Sequence, residues 1–159
     1  MHHDTHASIG DAIDDAMIRA VVIAGLAGIA LIHVLQLPGA LDEAGYLGAL
    51  FICAIVASTA LAAVLAYVHD QRLLRAAGGL AGLILLGYLI SRTVGLPWAT
   101  DDIGVWTEPL GLVSMVIESL VVCVVAGGLA AQRVASAGAV ARRVESPGRS
   151  MPGPATPMT

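Results

Sequence analysis

The chain of 159 residues contains no lysine, so its eight basic residues are all arginine, and only 13% of its residues are charged. A soluble domain carries about a quarter. So little charge argues against a water-facing surface, and it provides no basic face for nucleic acid. Cysteine is scarce as well. Cys53 and Cys123 lie far apart in apolar runs with no CxxC pair, which argues against a disulfide framework and fits two small buried hydrophobes. Catalytic templates are missing: there is no GxSxG, no HExxH and no Walker loop. The glycines of AAGGLAG sit in an apolar run, without the strand that a dinucleotide site needs. An enzyme is therefore the least favoured class.

Apolar sequence is what the chain has in quantity: 57% of its residues are hydrophobic, and the mean hydropathy is +0.84. That balance points to the bilayer as solvent. The pattern predicts an all-α fold, a four-helix transmembrane bundle with spans at 18–37, 45–68, 73–94 and 109–131. Residues 1–17 read as a polar, amphipathic N-terminal segment, lying at the interface or beginning the first span early. Their Met1, His2 and His3 read as a solvated tail. Residues 132–159, rich in Arg, Ser, Pro and Gly, read as a disordered tail.

Breakers and caps set these limits. Pro38 and Gly39 are expected to end the first span, and the loop after them carries Asp42 and Glu43. The polar turn His69 to Arg72 separates the second span from the third. Gly95 and Pro97 end the third, and Thr107 with Pro109 opens the fourth. Trp98 and Trp106 fit a membrane-interface belt. Small residues at four-residue spacing, Ala20/Ala24/Gly28 and Gly78/Gly82, offer stripes where another helix can approach closely. With four spans, Arg19, Arg72, Arg75, Arg133, Arg142, Arg143 and Arg149 fall on one side, and only Arg92 lies near the other. The positive-inside rule then puts both termini in the cytoplasm of a multi-pass protein of the cell membrane.

Two ionisable groups stand at membrane depth. Glu118 comes nine residues after Pro109, roughly 14 Å down the helix at about 1.5 Å per residue, near the middle of a hydrocarbon core about 30 Å thick. An unpaired carboxylate there costs about 2.5 kcal/mol or more. It must stay neutral or pair with a cation. Arg92, five residues before Pro97, is the available cation and is expected to bend toward Glu118 or to snorkel outward. Tyr88 shares its face, one turn earlier. In the fourth span Glu108, Gly111, Ser114 or Met115, and Glu118 follow helical spacing, a polar and small stripe that reads as a wet cleft. His33 lies at a depth similar to that of Arg92. Alone it reads as a hydrogen-bonded interfacial residue. With Glu43, Asp42 or Glu118 it would make a His-plus-carboxylate ligand set for a transition-metal ion, without metal-type spacing.

At SRTVGLP (Ser91 to Pro97) and EPLGLVSMVIE (Glu108 to Glu118) the chain resembles small, uncharacterised four-span membrane proteins of actinomycete type. The absence of lysine and the bias toward Ala, Gly, Val and Arg suit a GC-rich genome. The resemblance implies the four-span fold and a pairing of Arg92 with Glu118. Relatives carry a further His and Glu in the first outer loop, whereas this chain has LPGALDEAG, with acids and no His.

Two functional readings follow. In the first, Arg92, Glu118, His33, Ser114 and Tyr88 line an outward-facing site for an ion, metal, proton or small ligand. In the second, the chain is a structural or accessory subunit of a larger membrane complex, Arg92 and Glu118 form an internal strut, and the small-residue stripes are partner surfaces. The lipid bilayer is a partner in both, with a homo-oligomer or larger complex as the further possibility.

Overall fold

A chain that must satisfy its backbone polar groups without water closes them inside helices. The computed structural model describes the backbone of residues 3–145 and, among them, the side chains of 10, 12–138 and 140. The described residues form four helices: α1 (His3–Glu43), α2 (Gly45–Tyr67), α3 (Gln71–Thr93) and α4 (Pro109–Glu145). One isolated antiparallel bridge joins Leu96 and Ala99. All four helices are long and apolar enough to cross a membrane. The chain divides after Gly128 into two units. In the second, α4 runs on to Glu145, its described side chains mostly exposed, and Ser136 Oγ donates to the Gln132 carbonyl at 2.8 Å.

The first unit is inside out by the standard of a soluble protein. Leu31, Leu83 and Val116 are each at least 60% exposed, whereas His33, Ser58, Ser91, Arg92, Ser114 and Glu118 are buried. Lipid asks nothing of an outward leucine, and it penalises an outward charge.

The helix limits bear on three of these expectations. Pro38 does not end the first span; α1 continues through it to Glu43, so Asp42 and Glu43 stand in its last turn instead of in a loop. Proline removes one helical N–H and crowds the preceding turn, but packing beyond it holds the helix together. Ala40 is buried with Leu47 and Ala99, and Leu41 covers Gly48 of α2. The connection to α2 is the single extended residue Ala44. Secondly, α1 begins at His3, so residues 3–17 are an early start to the first span. Thirdly, α4 passes position 131 and stays helical to Glu145; the rest of the expected tail, 146–159, lies outside the described residues, as do Met1 and His2. The start of α3 is set by Asp70, whose Oδ1 accepts the Arg72 N–H at 2.8 Å.

Glycines let the helices meet. A Cβ on Gly25 of α1 would collide with Val121 of α4, and one on Gly28 would lie 3.2 Å from Ile117. On α3, a Cβ at Gly78 would lie 2.9 Å from Val125 of α4, and Gly82 faces Val122. Three of the small residues expected to form stripes, Gly28, Gly78 and Gly82, are thus used between helices of this chain, while Ala20 and Ala24 stay exposed.

Replacing Gly25 by Ala should overpack this contact and lower stability by about 1–3 kcal/mol, read as a lowered Tm in detergent. Adding Val121→Ala should restore part of the loss. Gly79→Ala, where nothing lies within 4 Å, should show no loss.

Candidate polar site

Arg92 ends α3, and the α3–α4 connection folds back over it. Gly95 adopts φ +83° and its N–H reaches the Ile90 carbonyl at 2.9 Å, which turns the chain off the helix. Leu96 and Ala99 then exchange two backbone hydrogen bonds, and Gly104, at φ +80°, donates its N–H to the carbonyl of Arg92 at 2.9 Å. The loop is tied to α2 by Tyr46, whose hydroxyl donates to the Pro97 carbonyl at 2.7 Å. The result brings two carboxylates onto one guanidinium. Arg92 pairs through Nη1 with Asp102 and through Nη2 with Glu108, while its own side chain is only 4% exposed. Gln36 of α1 donates from Nε2 to the other oxygen of Glu108 at 3.2 Å. Residues of α1, α3 and the α3–α4 connection therefore gather around one cation.

Arg92 does not pair directly with Glu118. Gln36 and Arg92 both bond to Glu108, so the guanidinium is level with the start of α4. Glu118 lies ten residues further on, about 15 Å along the helix, beyond the reach of one side chain. The Tyr88 ring fills the interval. It lies 5.1 Å from the guanidinium carbon, in cation–π contact, and packs on Gly111, where a Cβ would sit 2.8 Å from Tyr88 Cε2. Trp106 meets its edge at 6.4 Å. The Tyr88 hydroxyl and Arg92 Nε are both buried without a hydrogen-bond partner.

Below Tyr88 the stripe on α4 takes the form its spacing predicts: Gly111, Ser114 and Glu118 are all buried, and Glu108 is partly so. Glu118 is 0% exposed. Ser114 Oγ donates to its Oε1 at 2.6 Å, and its Oε2 has no partner. Ser58 of α2, also fully enclosed, has an unpartnered hydroxyl too. Buried polar atoms without partners are rare in native interiors, because each one forfeits its hydration. Two such atoms, on Glu118 and Ser58, belong to fully enclosed groups of the spans.

His33 is buried on α1, with Nδ1 2.9 Å from the Ile29 carbonyl and its ring against Phe51 at 4.9 Å. The carbonyl can only accept, so Nδ1 carries the proton and Nε2 keeps a lone pair. Glu43 is exposed at the end of α1, within electrostatic range of Arg92, Asp101, Asp102 and Glu108. Among the described residues no three His, Cys, Asp or Glu side chains gather where one metal ion could hold them. The expected pairing of His33 and Glu43 on a metal thus lacks a further ligand of that kind: His33 turns to its own helix and Glu43 to the acidic rim. Cys53 and Cys123 are exposed on the apolar exterior rather than buried.

The sequence reasoning missed Asp102 and Gln36, and it placed Glu108 on the stripe without giving it a partner. A signal was present in the lone outer arginine, with acids in both connections at its end of the bundle. Gln36 and Ser58 gave none, being ordinary polar residues in apolar runs.

Removing partners should have unequal effects. Arg92→Gln leaves Asp102 and Glu108 with side chains 37% and 39% exposed, able to hydrate, and should cost about 1–2 kcal/mol, between the exposed and buried extremes. Asp102→Asn with Glu108→Gln strands a buried guanidinium and should cost about 3–5 kcal/mol. Thermal unfolding of the detergent-purified variants measures both. Comparison with protein-family models, curated proteins and solved structures finds no match to this chain, and its own residues carry the functional reading.

Proposed function

We propose that this chain is a multi-pass integral membrane protein of the cell membrane in which Glu118 is a proton- or cation-binding group, reached from the end of the bundle that carries the α3–α4 connection. The observation behind this reading is the Glu118 carboxyl, fully enclosed near mid-span, with Ser114 on one oxygen and nothing on the other. A bare carboxylate at that depth is costly, so the group holds a proton or a small cation. Ser114 fixes its orientation and leaves Oε2 to exchange what it carries. Glu108, the Tyr88 hydroxyl and Ser114 mark polar steps between the rim and Glu118, and Tyr88 against Gly111 is the closure along that line. His33 Nε2 offers a further proton acceptor.

Arg92 has a different part in this reading. Two carboxylates already neutralise it, so it holds the wall of the entrance and binds no ligand. That same saturation favours the second reading, an accessory subunit in which the ion pairs serve rigidity alone.

Proton flux into vesicles containing the purified protein, under an imposed membrane potential, separates the two. The site reading expects flux above that of empty vesicles, abolished by Glu118→Gln at equal protein content. Wild-type flux equal to that of empty vesicles, with sodium and potassium giving the same null, would leave the accessory reading.

The arginine distribution supports placing both termini in the cytoplasm. With Cys53 and Cys123 replaced by Ala, a membrane-impermeant maleimide applied to whole cells should label Asp101→Cys and spare Gln71→Cys. The reverse pattern would invert the topology.

A further inference from the structure

Outside the bundle, α2 and α3 leave an apolar groove between them, lined by Ala57, Ala60 and Val64 on one side and Leu73, Ala76 and Leu80 on the other. It extends over eight residues of each helix, about 10 Å at roughly 1.5 Å per step, and one end opens toward the turn between the helices. The first turns of α3 carry two arginines near that end: Arg72, one helical turn before Ala76, and Arg75, the residue before it. Both are exposed, and the ion pairs among the described residues belong to Arg92, so neither meets a described carboxylate. Their neighbours are otherwise committed. Asp70 accepts the α3 N-terminal N–H, and Arg19 donates to the Leu65 and Val68 carbonyls at 3.1 and 2.7 Å, closing the end of α2. Tyr67, 86% exposed at the same end, suits the headgroup region.

We propose that this groove seats an acyl chain of an anionic phospholipid, with its phosphate on Arg72 and Arg75. The shape and the charge point to the same occupant. An apolar slot with cations at its mouth matches an amphiphile with an acyl body and an anionic head. Arginine presents paired N–H donors to phosphate oxygens.

The full chain, purified in neutral detergent and offered equal amounts of phosphatidylglycerol and phosphatidylcholine, tests this by native mass spectrometry. Phosphatidylglycerol should be retained in preference. The preference should fall about fivefold for each of Arg72→Gln and Arg75→Gln, the effect of one near-surface cation on an anionic lipid. Raising the salt concentration should weaken it in the unaltered protein. Ala60→Phe, which fills the slot, should reduce retention of both lipids. Equal retention of the two lipids, or a preference insensitive to both arginines and to salt, would overturn the proposal. So would a dimer that Ala60→Phe converts to monomer, because the slot would then belong to a second copy of the chain.

Discussion

A guanidinium keeps its charge at any biological pH, and that of Arg92 has been taken out of solvent. It must therefore be met by acids, and the ones that meet it come from the following loop and from the threshold of α4. Because Asp102 and Glu108 have to arrive at one point, the fifteen residues between α3 and α4 are confined to a path that returns over the end of α3. Gly95 and Gly104 supply the backbone conformations this path needs, and the Gly104 N–H closes on the carbonyl of Arg92 itself. Gln36 brings α1 into the same set. This convergence ties the register of α1 and α3 to the start of α4.

That register separates two polar regions with different character. The region around Arg92 is charged, internally neutralised and bordered by half-exposed acids, the properties of a structural clasp. The region around Glu118 is uncharged except for the carboxyl, enclosed, and short of hydrogen-bond partners. Tyr88 stands between them and touches both sides, its ring on the guanidinium and its edge in the space that Gly111 leaves. Interiors that tolerate unpartnered polar atoms tend to do so where those atoms are used. The accessible exterior completes the inversion, since leucine and valine cover much of it while Ser58, Ser91 and Ser114 are kept inside.

Four helices, the start of the second and the fourth, and the buried stripe on α4 were legible in the sequence, because hydrophobic runs, caps and 3.6-residue spacing are local signals. The place of Glu118 along α4 was legible for the same reason. The partner of Arg92 was not. Choosing between Glu118 and Glu108 requires knowing how far the connecting loop folds back, which depends on a bridge between Leu96 and Ala99 and on contacts from Tyr46 and Gln36, residues distant in sequence. The end of α1 was misjudged because proline is read as a local veto, whereas Ala40 and Leu41 gain enough from α2 and the loop to carry the helix past it. The continuation of α4 to Glu145 was obscured by composition: the alanines and arginines of 129–145 suit a helix as well as they suit a tail.

Pro38 has one more effect. It has no N–H to give, so the carbonyl of Val34 goes without its usual donor, and the final turn of α1 is joined to the rest by a thinner seam of bonds. Beyond that seam lie Asp42 and Glu43, with Ala40 and Leu41 as the adhesive on its inner side. The outermost segment of α1 is thus held less by its own hydrogen-bond ladder than by Ala40 and Leu41 against α2 and the loop, and that packing keeps Glu43 within electrostatic range of the rim around Arg92.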